Sequence, residues 1–331
     1  MDIFNFFKKE KPIFTGYRFG FGSGGGGGGE GATITPSTGG TIVQDGSTKY
    51  HVFLNDDVFT CGDGPHSCTI LAIGGGGASG DSRAGAGCGG GGGAGGYVNA
   101  PFTITNGTYP VTVGAGGPAR PSPSTNVTPY PYDFPRFSGT PSSVNTVVTA
   151  WGGGQGGGHG LKAGGPGGSA GGGQDSQGPG TANRETGHLY NTITPTPQGN
   201  AGGPTSSGSN QRGGAGGGGA SGAGSSGDDS RGGAGGDGVT AAPSFPVPLI
   251  SPVVPGYTGL VCGGGHGGGG PDGENTAQNA WGGGGRSSPQ VTQTEEGRDY
   301  SGGGGGANPL NHPDQLGHAG GKGLVIIKYT I

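Results

Sequence analysis

Apolar residues recur along this chain in short β-branched and aromatic runs set off by Asn, Asp and Gly. The first are Thr41-Ile42-Val43, Lys49-Tyr50-His51-Val52-Phe53-Leu54, Asp57-Val58-Phe59-Thr60 and Thr69-Ile70-Leu71-Ala72-Ile73. Runs of this length and composition, bounded by turn residues, predict strands. More are predicted at Tyr97-Val98, Phe102-Thr103-Ile104, Tyr109-Pro110-Val111-Thr112-Val113 and residues 144–151, with a last one at Leu324-Val325-Ile326-Ile327-Lys328-Tyr329. Four consecutive apolar residues in that last strand predict burial on both faces. Its place at the end of the sequence predicts pairing with the early strands, which closes one domain around everything between. No helical periodicity is visible beyond the N-terminus.

Between Ile73 and Leu324 the pattern changes to nine glycine-dense runs, at 74–77, 87–96, 152–160, 164–173, 213–224, 232–238, 263–270, 282–285 and 302–306. They alternate with polar or Pro-rich inserts at 117–140, 174–200, 241–257 and 286–300. Ordering a glycine costs more backbone entropy than ordering any other residue, so such runs favour disorder unless something holds them. Several begin directly after a large or apolar residue, as in Ile73-Gly74, Trp151-Gly152, Val261-Cys262-Gly263 and Trp281-Gly282. That placement predicts rods that start at the edge of a packed core. An extended threefold rod of eight residues rises about 3.1 Å per residue, roughly 25 Å in all. Without side chains, such polyglycine II rods approach closely enough to exchange backbone hydrogen bonds, supplemented by Cα–H···O contacts. The expected fold class is therefore all-β plus polyglycine II, with short strands framing a bundle of rods and the inserts turning at its ends.

Composition agrees: 93 of 331 residues are Gly and 26 are Pro, while Leu, Ile, Val and Phe together number 50. That apolar share, near 15%, lies below the level at which a conventional side-chain core fills a chain of this size. The glycines follow no strict triplet, which excludes collagen. With a net charge of −4 and no basic run, no nucleic-acid face is expected. No apolar stretch reaches a membrane span and no leader pattern is present, so neither a membrane nor a secretory segment is expected.

Residues 1–21 differ from the rest, with six Phe and three Lys. Ile3, Phe4, Phe6, Phe7 and Phe14 are candidate docking residues, because exposed Phe at that density normally finds a partner surface. Residues 22–40 read as a Gly-rich linker and residues 41–331 as the glycine-rich domain.

The chemistry-bearing residues suggest no enzyme. No glycine run ends in the Lys-Ser or Lys-Thr of a phosphate-binding loop or sits in a βαβ unit, and no cofactor is expected. Cys61 and Cys68 flank Gly62-Asp63-Gly64-Pro65-His66-Ser67 and face each other as a bridge or as two thiols. No second close Cys or His pair completes a zinc-like set, so no metal is expected. His159 and His266 each interrupt a glycine run, where ordinary hydrogen bonding is expected rather than a shared metal. Asp228-Asp229 and Glu295-Glu296 are expected to be solvated turn residues, and Trp151 and Trp281 structural plugs. Contact with a partner falls instead to Pro-aromatic inserts, which lose little entropy on binding. Tyr130, Tyr132, Phe134 and Phe137 form one such set, and Phe245, Leu249 and Ile250 belong to a second.

The ordered set Tyr50-His51-Val52-Phe53, Thr69-Ile70-Leu71-Ala72-Ile73-Gly74-Gly75-Gly76-Gly77, Gly95-Gly96-Tyr97-Val98, Tyr109-Pro110-Val111-Thr112-Val113-Gly114-Ala115-Gly116-Gly117 and Gly323-Leu324-Val325-Ile326-Ile327-Lys328-Tyr329 resembles the glycine-rich domain common in bacteriophage tail fibre and other virion appendage proteins, over about residues 41–331. The resemblance implies strands framing a polyglycine II sandwich and distal loops that, in some members, contact receptors on the host surface. This sequence departs from it in longer Pro-rich inserts at 118–141 and 241–256. The expected function is a non-enzymatic tail fibre or tail-tip adhesin of the virion. Its expected partners are other virion proteins through the N-terminus, and a host-surface glycan or outer-membrane protein through the loops, with a trimer the usual state. The alternative is a capsid-attached fibre or a baseplate or neck decoration protein without receptor binding.

Overall fold

The computed structural model describes residues 35–82, 87–121, 136–158, 163–174, 198–204, 213–228, 231–269, 281–287, 296–309 and 316–331. The docking candidates Ile3, Phe4, Phe6, Phe7 and Phe14, and the contact candidates Tyr130, Tyr132 and Phe134, lie outside the described residues.

The strands are β1 (Thr41–Asp45), β2 (Thr48–Phe53), β3 (Asp57–Cys61), β4 (His66–Ile73), β5 (Tyr97–Ile104), β6 (Gly107–Thr112), β7 (Ser142–Val144), β8 (Val148–Ala150), β9 (Val239–Thr240), β10 (Leu260–Val261) and β11 (Leu324–Thr330). A five-stranded antiparallel sheet has the order β1-β2-β11-β4-β5, and a four-stranded one the order β3-β6-β7-β8. The closing strand pairs as expected: Ile327 of β11 stands opposite His51 of β2 on one side and Ile70 of β4 on the other.

Side chains alternate across a strand, and the two faces of the large sheet have different partners. Ile70, Val325 and Ile327 face the four-stranded sheet, where they meet Phe59, Val111, Val144 and Val148. Leu71, Ile73, Leu324 and Ile326 face the opposite way, onto Phe245, Ile250, Val254, Tyr257 and Val261. Burial on both sides explains the unbroken apolar run of β11. Pro101 sits in β5, at the sheet edge, where a missing N–H disturbs only one ladder.

Two expectations need correction. Residues 144–151 are not one strand: Asn145 adopts a positive φ of 45° and turns the chain, which makes β7 and β8 a hairpin. Asn tolerates that conformation because its short polar side chain bonds locally. The insert 241–257 is not a turn at the bundle end. It carries a single-turn helix α1 (Val247–Ile250), lies between the paired strands β9 and β10, and packs its apolar side chains on the large sheet.

The glycine runs form a hydrogen-bonded bundle around the segment 89–96. Its N–H groups follow a repeat of three. Gly90, Gly93 and Gly96 donate to Gly157, Gly154 and Trp151; Gly91 and Ala94 donate to Ala215 and Gly218; and Gly92 and Gly95 donate to Gly305 and Gly302, all at 2.7–2.9 Å. Its carbonyls repeat in the same way. Those of Gly96, Gly93 and Gly90 accept from Gly74, Gly77 and Gly80, those of Gly91 and Ala94 from Gly172 and Ser169, and those of Gly92 and Gly89 from Gly265 and Gly268. One segment is thus bonded to six neighbours. Such spacing excludes side chains, since a Cβ on Gly265 or Gly304 would collide with the backbone carbonyl of Gly305 or Gly92. Ala94, in the same segment, escapes because its methyl joins the apolar cluster on the large sheet.

Candidate functional site

The bundle has two unlike ends. Near Gly74, Gly96 and Trp151 the segments run into β4, β5 and β8. At the far end, near Gly80, Gly89 and Gly268, no strand among the described residues continues the ladder, and side chains supply hydrogen bonds to buried backbone groups.

That far end is a buried polar layer. Asp81 and Arg120 form an ion pair at 2.8 Å, both almost fully shielded from solvent. The Arg120 backbone exchanges hydrogen bonds with Gly317 at 3.0 Å in each direction, and its guanidinium lies 5.4 Å from the centre of the Phe137 ring. Phe137 is fixed in turn, since its N–H donates to Gln155 Oε1 at 3.1 Å and its carbonyl accepts from the Ala78 N–H at 2.9 Å. The Ser79 hydroxyl donates to the Gly306 carbonyl and accepts from the His318 N–H. Cys88 gives its S–H to the Gly269 carbonyl at 2.8 Å, and Gln174 its amide N–H to the Gly87 carbonyl at 3.1 Å.

This layer brings the described flanks of several inserts together at one end of the molecule. Arg120 and Phe137 bracket 122–135. The Gly89 N–H donating to Ser82 Oγ ties the flanks of 83–86. Asn308 Nδ2 donating to the Leu316 carbonyl at 3.1 Å ties those of 310–315, and the Asp228 N–H donating to the Arg231 carbonyl at 2.9 Å ties those of 229–230. The arrangement fixes the described flanks of these segments on one buried, hydrogen-bonded layer.

Of the predicted contact residues, Phe137 is buried, with the Arg120 guanidinium over its ring and its backbone bonded to Gln155 and Ala78. Phe245 and Ile250 are fully buried and Leu249 partly so, all three against the large sheet. They are core, for the same reason that any apolar cluster facing an apolar sheet is withdrawn from water. Trp281 is 57% exposed, so it is not the buried plug expected. Trp151 is half-buried beside a shallow groove shared with Thr140, Asn145 and Thr149.

The remaining candidates are dispersed. His159, Asp229 and Glu295 lie outside the described residues, while Asp228 accepts the Arg231 N–H in an exposed turn. His266 is buried in the bundle and accepts the Gly235 N–H on Nδ1 at 3.2 Å. Burial, reinforced by the nearby Arg286 charge, pushes its pKa down to about 4, so it is neutral at pH 7. Cys61 and Cys68 are free thiols. Burial pushes Cys68 up to about 12, and it gives its S–H to the Phe102 carbonyl at 3.0 Å.

The sequence did not single out Asp81, Arg120, Ser79 or Asn308. Their only signal is position, as isolated polar residues beside the ends of glycine runs.

A family model for a glycine-rich domain matches residues 55–330. The chain belongs to that glycine-rich domain family. The match takes in β3 through β11, the bundle and the polar layer, while β1 and β2 precede it. No curated protein matches the chain.

Proposed function

We propose that this glycine-rich domain protein is a non-enzymatic structural protein of a bacteriophage virion, a tail fibre or tail-tip adhesin. In this reading the glycine segments are polyglycine II helices, and the segments at the far end of the bundle contact the host cell. The polyglycine II assignment rests on the repeat of three in donors and acceptors along 89–96, since three residues per turn returns each N–H to the same neighbour every third residue. The adhesive role rests on one observation: the insert carrying Tyr130, Tyr132 and Phe134 has both described flanks, Arg120 and Phe137, locked into the buried layer at the bundle end. A stiff platform lowers the entropy lost when such a segment binds. The target is a host-surface glycan or outer-membrane protein. The Phe-rich N-terminal segment docks to other virion proteins, and the assembled form is a trimer.

Immunogold electron microscopy of intact particles, with antibody against residues 41–331, tests this together with an adsorption assay. Label at the tail periphery with blocked adsorption is the expected result. Label over the head with adsorption untouched would replace the adhesin with a capsid or neck decoration protein, and absence of label from particles would remove the virion altogether.

A further inference from the structure

The end of the β-sheets opposite the bundle holds a second group of polar side chains, unconnected with the loop platform. β3 ends at Cys61 and β4 begins at His66, and the turn between them carries Asp63. One donor atom from each of the three lies within 4.8 Å of the others. We propose that Cys61, Asp63 and His66 form a site for a divalent transition metal of the zinc type, with one coordination position open to solvent.

The donor set is a thiolate, a carboxylate and an imidazole, a mixture that suits zinc and is poor for calcium or magnesium, which take oxygen ligands. With bonds of about 2.3 Å to sulfur and about 2.0–2.2 Å to nitrogen and oxygen, the donors of a tetrahedral site stand roughly 3.3–3.6 Å apart. The present triad brackets that spacing, with Nε2 and Oδ1 2.9 Å apart and all three donor atoms within 4.8 Å of one another.

The surroundings prepare the donors. His66 Nε2 already lies 2.9 Å from Asp63 Oδ1, and the Ser37 hydroxyl donates to the same oxygen. The His66 ring stacks on Tyr329 at 4.3 Å between centres with a 21° tilt, which fixes its plane. Gly64 keeps clear the space beside the thiol, since a Cβ there would stand 2.6 Å from Cys61 Sγ. Cys61 itself is buried, while the side chains of His66 and Asp63 are 11% and 15% exposed, which leaves a path from solvent on their side. Cys68 stays outside the set because its S–H is committed to the Phe102 carbonyl. On binding, the metal takes the place of the proton between Nε2 and Oδ1. The thiol proton leaves to solvent, and the neutral imidazole carries its single proton on Nδ1.

Cobalt(II) titration of the full chain, stripped with chelator and kept reduced, is the test. One cobalt per chain is expected, with thiolate-to-cobalt charge-transfer absorption and the intense visible bands of tetrahedral coordination. Zinc should displace the cobalt and raise Tm by mass action. Cys61→Ser should abolish the charge-transfer absorption and His66→Gln should weaken binding at least tenfold, whereas Cys68→Ser should leave both intact. Wild-type protein that shows no charge-transfer absorption overturns the site without reference to any variant. So does absorption that survives Cys61→Ser or disappears only in Cys68→Ser.

Discussion

Two regions of this molecule are equally buried and held by opposite means. In the sheets, Ile70, Ile327, Val111 and Val148 fill the interior with side chains, and each strand needs apolar residues on the correct face. In the bundle, Gly92, Gly154, Gly265 and Gly305 fill it with backbone, and each position needs the absence of a side chain. A side-chain core has some tolerance, because neighbours shift rotamers to absorb a change in volume. A backbone core has far less, because each residue is bonded to one segment through its N–H and to another through its carbonyl, as Gly93 is to Gly154 and Gly77, and has nowhere to go.

The comparison is most directly broken at Gly304. Gly304→Ala is expected to cost more than about 4 kcal/mol, beyond the range of ordinary substitutions, and Gly304→Val should abolish cooperative unfolding. Circular dichroism melts decide it, and a Gly304→Val protein as stable as wild type would remove the bundle. In the sheets, Ile327→Ala should cost about 2–5 kcal/mol through lost transfer energy and a cavity. Chemical denaturation should therefore show a lowered midpoint with the transition still cooperative.

Next comes His266, whose ring enters the bundle uncharged. Its folded pKa, about 4, is depressed from the ordinary 6.5, so the unfolded chain binds the proton more readily and stability falls as pH drops from about 6.5 to about 4. The full loss at that histidine is about 3 kcal/mol. Melts across that range should show a decline that His266→Gln flattens, and an unchanged slope would mean that the decline arises elsewhere. The smallest effect belongs to a glycine outside the bundle. Gly46 has a φ of 57° and no atom near its Cβ direction, so Gly46→Ala should cost only about 1–2 kcal/mol, from the left-handed backbone alone.

Legibility divides along the same line. The strands were readable because β-branched alternation and turn residues are local signals, and the double burial of β11 was readable from Leu324-Val325-Ile326-Ile327. The hairpin at Asn145 was not, since a positive φ at one residue outweighed an apolar run that reads as continuous. Phe245 and Ile250 were misplaced because an apolar Pro-rich loop has the same sequence whether it faces a partner or its own sheet. That Asp63 stands beside Cys61 and His66 was not readable from cysteine and histidine spacing, because it sits inside the turn between them.

By itself the sequence determined the long strands of the large sheet and the glycine segments, because both follow from what each side chain excludes or prefers. Tertiary structure alone decided which segment lies at the centre, which six surround it, and that Asp81 meets Arg120 across the bundle end. Glycine carries no side chain through which one segment distinguishes another. The order of the rods is therefore set by the sheets that start them and the polar layer that finishes them.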